Sequence, residues 1–376
     1  MKKLFLSIFA VAALFSCSKS DVIYVEEQSE IGFAPVARTI TKAALGVDDN
    51  TYPTTQNIGV WSNYDGAVVA NSTVNYATQF TTKFIEDKQF TYHTDVTPNS
   101  WAGVTAYFWP TNGSLVFAGY SMTAPETSGA EAPEVGESRS YNFSTDMMKI
   151  NGYTQSLDPA TTFDLLWFGR TNKSYNLRGQ STAVPVVFNH ALSWITIKVI
   201  GEGIVLDPNN TWKVTSVVIN DIKDKGDVTM VGAGANQATW DENSLTDSDN
   251  VTTNNIITVW SGSQELEDEA KKIENTDYGT LVIPQAPTTA TVKYKYNTPA
   301  GIEIEETTTV NLTLTGATTP VKDEDGNITN QAIASTHTKW QSGTHYIYTL
   351  KFTQSEILIS ATVDGWTEVN QNVSVN

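Results

Sequence analysis

The sequence predicts an all-β protein, and three observations support this class. Thr, Val, Asn, Tyr and Trp are abundant along the 376 residues, while helix-favouring stretches are few. Segments such as 212–221 (WKVTSVVIND) and 289–298 (TATVKYKYNT) alternate apolar and polar residues with period two. Turn-forming residues separate these segments at intervals of roughly 10–20 residues, which is typical of β-sandwich domains.

The first 17 residues are predicted to be a lipoprotein signal peptide. Two lysines precede an apolar run, 4–15, that is shorter than the roughly 20 residues a membrane-spanning helix needs. Cys17 is the only cysteine, and the stretch LFSC that it ends resembles the lipobox of bacterial lipoproteins. A plain secretory signal is the alternative. Since a lone thiol cannot form an internal disulfide, we expect Cys17 to carry palmitate or another acyl chain and to insert into membrane lipid.

Composition and alternation divide the rest of the chain. Ile31 and Phe33 alternate in a short predicted strand that Pro35 is expected to end. The strongest strand signal, 183–203, places a domain boundary at about residue 180. The predicted segments are a signal peptide with lipobox (1–17), an N-terminal tether with a short strand (18–50), two β-sandwich domains (51–180 and 181–366) and a C-terminal tail (367–376).

Three local patterns carry further predictions. Segment 263–275 (SQELEDEAKKIEN) predicts one short helix, and GAGAN at 232–236 predicts a hairpin turn. DEDGNIT at 323–329 spaces its acidic residues as a calcium loop does. Its glycine stands at the fourth position rather than the sixth, and Ala334 stands where the loop needs glutamate, so a hairpin tip is the better interpretation.

No pattern for catalysis, a metal or a cofactor stands out. The single cysteine and the scattered histidines exclude a zinc cluster, and no nucleophile elbow or phosphate-binding loop is present; the histidines are His93, His190, His337 and His345. We interpret His190 as a structural residue at a strand bend. A net charge of −18 argues against nucleic acid as a partner. Most of the ten tryptophans are expected in the core, although exposed ones could bind sugar.

Five short motifs, taken together and in order, resemble the fimbrillin family, the subunits of type V pili in Bacteroidota. They are YFWPTNGSLVFAGYS (107–121), VVFNHALSWITIKV (186–199), LVIPQAP (281–287), KWQSGTHYIYTLKF (339–352) and TVDGW (362–366). The resemblance covers about residue 30 to the C-terminus. It implies two tandem transthyretin-like β-sandwich domains and a non-enzymatic, structural role.

The resemblance also implies an assembly mechanism. In pilus-forming members, a trypsin-like, Arg-specific protease cuts the lipidated precursor near its N-terminus, and the loss of a strand opens a groove. An extended strand of another subunit then fills this groove. The matching residues here are the cleavage pair Arg38 and Thr39, the lost-strand residues Ile31 and Phe33, and the donor-tail residues Val373 and Val375.

The resemblance finally implies partners and a location. The expected partners are other fimbrial subunits, as a homopolymer or with tip and anchor proteins, the protease, and a host or bacterial surface ligand. The expected location is the cell outer membrane, surface-exposed and lipid-anchored through Cys17, and the fimbrium after processing, in support of cell adhesion. The tail 367–376 lacks the aromatic ending of some polymerising members. A non-polymerising surface lipoprotein, either a pilus anchor or a glycan-binding module, is therefore the alternative.

Overall fold

The computed structural model is all-β, as the sequence predicts. It describes residues 29–37, 52–67, 74–94, 99–122, 135–159, 162–170, 175–176, 183–204, 211–232, 237–247, 255–274, 280–322, 328–333, 338–353 and 356–365. In chain order the strands are β1 (Gly32–Ala37), β2 (Asn57–Asp65), β3 (Thr82–His93), β4 (Ser100–Gly103), β5 (Ser114–Met122), β6 (Ser138–Asn142), β7 (Met147–Thr154), β8 (Leu166–Phe168), β9 (Tyr175–Asn176), β10 (Val184–His190), β11 (Ser193–Gly201), β12 (Lys213–Ile219), β13 (Lys225–Val231), β14 (Gln237–Trp240), β15 (Ile257–Glu265), β16 (Lys271–Ile273), β17 (Thr280–Val282), β18 (Thr289–Asn297), β19 (Glu303–Asn311), β20 (Thr318–Lys322), β21 (Ile328–Ala332), β22 (Thr344–Phe352) and β23 (Ile357–Gly365). Within these ranges, helix is confined to a 3-10 turn at Glu242–Ser244, and no helix is long and apolar enough to span a membrane.

The strands form where apolar residues recur at every second position. In β13, Val228 and Met230 are buried while their neighbours are partly exposed. In β22, every second residue over Tyr346–Phe352 is buried. Successive side chains of a strand point to opposite faces, so this pattern gives each sheet one apolar face that must be covered.

Seven strands of the first sheet close into a ring, in the order β2-β3-β4-β1-β10-β8-β5, with β5 pairing again with β2. The short strand β9 adds beside β5. All neighbours in the ring are antiparallel except β1 and β10, which are parallel. Phenylalanines fill the inside, among them Phe90, Phe117 and Phe168. Each of the seven strands in the ring therefore has a neighbour on both sides, so none is an edge strand.

A second, four-stranded sheet, β14-β13-β7-β6, covers part of the outside of this ring. Trp61 of β2 stacks on Tyr141 of β6 with ring centroids 6.1 Å apart. The indole nitrogen of Trp240, on β14, donates a hydrogen bond of 2.8 Å to the backbone oxygen of Ala191, just after β10. One continuous apolar cluster therefore spans the ring interior and this cover sheet.

The remaining strands form a β-sandwich, which we call the second-half sandwich. One sheet runs β16-β11-β22-β23-β20-β21 with β17 also on β11, and the facing sheet runs β15-β12-β18-β19. A second apolar cluster lies between them. At its centre the indole nitrogen of Trp340 donates to the hydroxyl of Tyr348 at 2.9 Å, and both residues are fully buried.

Strand pairing crosses residue 180 in both directions. Strands β6 and β7 precede this residue but share a sheet with β13 and β14, whereas β10 follows it and belongs to the ring. A boundary at residue 180 therefore does not coincide with a boundary between sheets. The division of the chain into two domains stays a prediction.

The predicted helix at 263–275 is wrong. Residues up to Glu265 continue β15 along β12, and Lys271–Ile273 forms β16 beside β11. Leu266 and Ile273 are buried in the second apolar cluster, so packing fixes the backbone as strand. This tertiary pairing overrides the local helix propensity of the Glu- and Lys-rich segment.

The prediction that Pro35 ends the first strand is also wrong, since β1 continues to Ala37. On the β4 side, pairing covers only Gly32 and Phe33. The missing N–H of Pro35 therefore does not interrupt the β1–β4 ladder, which is where proline is tolerated in a strand.

Both predicted hairpins are confirmed by the pairing of their flanks. Strands β13 and β14 pair antiparallel on either side of residues 233–236. Strands β20 and β21 pair from Lys322 opposite Ile328 outward. The acidic residues 323–327 themselves lie outside the described residues.

Candidate assembly site

Strand β1 lies between β4 and β10 in the ring, although neither strand is its neighbour in sequence. On one side, Phe33–Ala37 faces Val184–Phe188 of β10 in parallel register. On the other side, only Gly32 and Phe33 pair with β4. No hairpin joins β1 to either partner, so β1 is held by its side chains and by backbone pairing alone.

The backbone just before β1 is also paired. The amide of Ile31 donates a 2.7 Å hydrogen bond to the oxygen of Tyr107, and the amide of Trp109 donates one of 3.0 Å to the oxygen of Ser29. Tyr107 and Trp109 belong to the aromatic–Trp–Pro segment recognised in the sequence. This segment therefore aligns the N-terminal strand as it enters the ring.

Phe33 occupies an aromatic pocket at the centre of the ring. Its side chain is 0% exposed. Its ring contacts Phe90 and Phe117 edge-to-face, with centroids 5.1 and 5.2 Å away, and lies 6.3 Å from the ring of Phe168. Burial of a phenylalanine contributes about 1.5–3 kcal/mol, and each aromatic pair adds about 0.5–1.5 kcal/mol. The pocket therefore supplies a large share of what holds β1.

The two residues before Phe33 are fitted just as closely. Ile31 is fully buried. A Cβ atom at Gly32 would lie 2.5 Å from Oγ and 3.2 Å from Cβ of Ser100, on β4. Both separations are below van der Waals contact, so the backbone of β1 packs where a side chain would collide. We call the position of β1, with its pocket and its β4 and β10 walls, the groove.

A buried contact between a histidine and a carboxylate fixes the β10 wall of the groove. Nδ1 of His190, the last residue of β10, lies 2.5 Å from Oδ2 of Asp164, and both side chains are about 3% exposed. The hydroxyl of Ser121, on β5, donates to the backbone oxygen of Asp164 at 2.9 Å and accepts from the amide of Leu166 at 2.7 Å. These contacts tie β10, β8 and β5 together, independently of β1. His190 is thus structural, as predicted, and its partner is a carboxylate 26 residues away that the sequence did not reveal.

The two arginines that the structure describes, Arg139 and Arg170, both make polar contacts within the folded chain. Nε of Arg139 lies 2.9 Å from Oδ2 of Asp87, and this carboxylate also accepts from the hydroxyl of Tyr120 at 2.8 Å. Burial, with the nearby Asp87 carboxylate, raises the pKa of Tyr120 well above its ordinary value.

Arg170 donates to the backbone oxygen of Phe143 at 2.5 Å and lies 3.6 Å above the ring of Tyr76. The side chains of Arg139 and Arg170 are 13% and 14% exposed. Neither can extend into a protease active site without breaking these contacts.

The structure places part of the predicted site. Ile31 and Phe33 lie in the groove, whereas the lipidation, cleavage and tail residues lie outside the described residues: Cys17, Arg38, Thr39, Val373 and Val375. The sequence did not single out Gly32 or the three pocket phenylalanines. A glycine directly before an aromatic residue in an alternating strand is the signal that could have indicated Gly32.

Most described tryptophans pack in the core, as predicted. Seven of the nine are buried, and the other two, Trp212 and Trp260, are partly buried. Trp212 stacks on Tyr296 with centroids 4.4 Å apart. Among the described residues, no group of three or more His, Cys, Asp or Glu side chains is placed to hold a metal ion.

Comparison with known proteins gave a match to one sequence family and likenesses to several solved structures. A sequence model described as fimbrillin-like matches residues 41–366. The solved structure of a fimbrial protein from Bacteroides vulgatus matches over 90% of this chain and 99% of that chain, with 12% identity and a TM-score of 0.54. A candidate cell adhesion protein from Bacteroides ovatus matches over 90% and 98%, with 14% identity and a TM-score of 0.41. No curated protein sequence gave a significant match. At such low identity, the first structural likeness shows a shared fold.

Proposed function

Because the chain belongs to the fimbrillin-like family, we propose that it is a fimbrial subunit assembled by exchange of strand β1. Family membership makes it a structural protein of the cell surface that associates with other fimbrial subunits, rather than an enzyme. One observation carries the proposal: β1 closes the ring, yet no hairpin joins it to its partners β4 and β10.

Export and processing come first. We propose that Cys17 is acylated and anchors the precursor in the outer membrane. An Arg-specific protease then cuts between Arg38 and Thr39, directly after the last residue of β1, Ala37. The ion-paired side chains of Arg139 and Arg170 support cleavage at Arg38 in preference to these two sites, because both are largely buried in the folded chain.

Loss of β1 then creates the binding site for a neighbour. The groove presents an unpaired edge of β10 and the exposed rings of Phe90, Phe117 and Phe168. Such an edge recruits an extended strand, whose backbone completes the ladder and whose alternate side chains fill the pockets. The contact between His190 and Asp164 supports this step. It holds the β10 wall in place, and neither residue belongs to β1.

The proposed filament depends on two different parts of each subunit, the groove and the tail 367–376. The tail 367–376 alternates Val373 and Val375 and is the proposed donor strand to a neighbouring subunit. A groove at one end and a donor at the other make a head-to-tail contact that does not close, so the chain of contacts extends as a fibre. The fibre would support adhesion to a host or bacterial surface.

The second candidate is a non-polymerising surface lipoprotein that anchors a pilus. The absence of any aromatic residue from the tail 367–376 favours it, because such a tail is a weak donor. This candidate retains Cys17 and the groove but not the donor role of Val373 and Val375.

Digestion of the precursor tests the proposal. The purified chain from Cys17 onward is treated with an Arg-specific protease, and we expect a new N-terminus at Thr39. Hydrogen exchange at β4 and β10 amides should then accelerate, and a synthetic peptide of residues 29–37 should restore protection. An Arg38→Lys variant is the matched control and should keep its N-terminus at Cys17. An intact N-terminus in the unmodified chain, or unchanged exchange in β10 after cleavage, would contradict the proposal.

A further inference from the structure

We infer that the groove of this chain accepts a strand from a different protein, one that carries a glycine followed by an aromatic residue at the positions of Gly32 and Phe33. This inference rests on the proposed strand exchange and names the partner of that site. It follows from two requirements of the groove and from the sequence of the chain's own tail.

The first requirement is an aromatic ring at the position of Phe33. The pocket is formed by the rings of Phe90, Phe117 and Phe168, and Phe33 fills it without any exposed surface. A valine there would leave most of the ring volume empty and would lose the edge-to-face contacts. Cavities of this kind persist because the surrounding structure relaxes only partly.

The second requirement is the absence of a side chain one residue earlier. An added Cβ at Gly32 comes within 2.5 Å of Oγ and 3.2 Å of Cβ of Ser100. The hydroxyl can rotate, but Cβ of Ser100 is fixed to the backbone of β4. A residue larger than glycine therefore requires the incoming strand or β4 to shift by a few tenths of an ångström and the hydroxyl of Ser100 to rotate.

The chain's own tail meets neither requirement. Residues 367–376 read TEVNQNVSVN and contain no glycine and no aromatic residue. The largest apolar side chain that any register or direction brings to the pocket is valine, from Val369, Val373 or Val375. With Val375 in the pocket, Ser374 takes the position of Gly32 and faces Ser100.

A Gly–aromatic pair does occur just before the tail, at Gly365 and Trp366. Gly365 is the last residue of β23 and already pairs with Thr344 of β22. If this pair were shifted into the groove, Asp364 would take the fully buried position of Ile31. Burying an unpaired carboxylate there is strongly unfavourable. Residues 364–376 are therefore a poor match to the groove.

It follows that this subunit stands between two different neighbours. Its groove takes the Gly–aromatic strand of another protein, and its own valine-containing segment 367–376 is left for a different acceptor. The subunit would then co-assemble with other chains rather than polymerise with itself.

A graft in the uncleaved chain tests the selectivity of the groove. The triple substitution Ile31→Val, Gly32→Ser and Phe33→Val places the tail residues 373–375 in the groove. We expect the melting temperature to fall by about 10 °C, since the graft combines a cavity with a steric clash. Ala34→Ser, at a partly buried position of β1 outside the grafted triplet, is the control and should leave the melting temperature unchanged. A graft that melts within about 2 °C of the original chain would overturn the inference, whatever the outcome of cleavage.

Peptide binding to the cleaved chain tests the same point in trans. The peptides are residues 29–37, residues 367–376, residues 362–376, and a 367–376 variant with Ser374→Gly and Val375→Phe. We expect the 29–37 peptide and the variant to bind at least about tenfold more tightly than the other two. Equal binding of either unmodified C-terminal peptide and the 29–37 peptide would overturn the inference. Failure of all four to bind would overturn the strand exchange itself, and the graft result keeps these two failures distinct.

Discussion

The strand that closes the ring and the strand that ends the second-half sandwich are held in different ways. β1 pairs with β4 at two residues and with β10 at five, and both partners are distant in sequence. β23 pairs with its hairpin neighbour β22 over nine residues, from Thr344 opposite Gly365 to Phe352 opposite Ile357. On its other side, β23 makes one ladder pair with β20.

The difference is consistent with the proposal that β1, rather than β23, is the strand that is exchanged. β23 cannot leave without opening a continuous hairpin ladder, whereas β1 is tied to its neighbours by a few backbone pairs and by one deep aromatic anchor. The groove therefore fits a strand by its side chains, chiefly at the positions of Ile31, Gly32 and Phe33, rather than by a hairpin ladder. The following predictions test this contrast, from the largest expected effect to the smallest.

Removing the anchor of β1 should have the largest effect. We expect Phe33→Ala to lower the free energy of unfolding by about 3–5 kcal/mol, because it leaves a cavity among three aromatic rings. Val363→Ala in β23 is the comparison and should cost about 1–2 kcal/mol, since the hairpin ladder remains. Denaturant unfolding followed by tryptophan fluorescence measures both. Equal losses would mean that β1 has no special anchor.

Removing a buried glutamine tests how the second-half sandwich is held. Gln285 accepts from the amide of Lys223 and donates to its backbone oxygen, each at 3.0 Å. We expect Gln285→Ala to cost about 2 kcal/mol, because these backbone groups lose their partner. The exposed Gln341→Ala is the control and should be neutral. If Gln285→Ala is also neutral in chemical denaturation, hydrogen bonding by this side chain does not stabilise the sandwich.

Lowering the pH should reduce the stability of the second-half sandwich, because the unfolded chain protonates His345 more readily than the folded chain does. The ring of His345 stacks on Trp194 with centroids 3.5 Å apart, and Nε2 lies 3.0 Å from Oγ1 of Thr196. Burial first, and then the nearby Lys272 and Lys198, lowers the pKa of His345 from 6.5 to about 3.

The folded chain therefore keeps His345 neutral where the unfolded chain protonates it. Its contribution to stability is complete above about pH 6.5 and is lost progressively as the pH falls toward 3. At pH 5 the loss should be about 1–2 kcal/mol. His345→Gln should remove this part of the pH dependence in unfolding curves measured from pH 7 to 4. If both chains lose stability equally, other groups account for the acid sensitivity.

A surface ion pair should have the smallest effect. Nζ of Lys223 lies 2.8 Å from Oδ1 of Asp247, and both side chains are about two-fifths exposed. We expect Asp247→Asn to change the free energy of unfolding by less than about 0.5 kcal/mol. A larger loss in thermal unfolding at moderate salt would show that surface charge contributes to the stability of this region.

The sequence predicts where strands occur far better than it predicts which strands pair with one another. Alternation marks β18 and β22 directly, because in each strand buried residues recur at every second position, such as Ala290 and Val292 in β18. It fails over 263–275, where Leu266 and Ile273 are buried by sheets that only tertiary folding brings together. Pairing of β1 with β10 joins residues about 150 positions apart, and no local pattern carries that information.

The candidate site was predicted in part for the same reason. Ile31 and Phe33 were recognised because they alternate within one short segment. The pocket around Phe33 was not, since its rings come from β3, β5 and β8. The contact between Gly32 and Ser100 depends on how closely two backbones approach, which residue types alone do not specify.

The distribution of arginine along the chain has a consequence for its cleavage by proteases. Four of its 23 basic residues are arginine, at 38, 139, 170 and 178, so the remaining 19 are lysine. No arginine follows Arg178, and the strands of the second-half sandwich all lie beyond it. An enzyme that requires arginine at its cleavage site thus meets, across that half, a surface whose positive charge is entirely lysine. Because lysine rather than arginine supplies the positive charge there, the second-half sandwich contains no bond that such an enzyme cleaves. This resistance does not depend on burying the basic side chains.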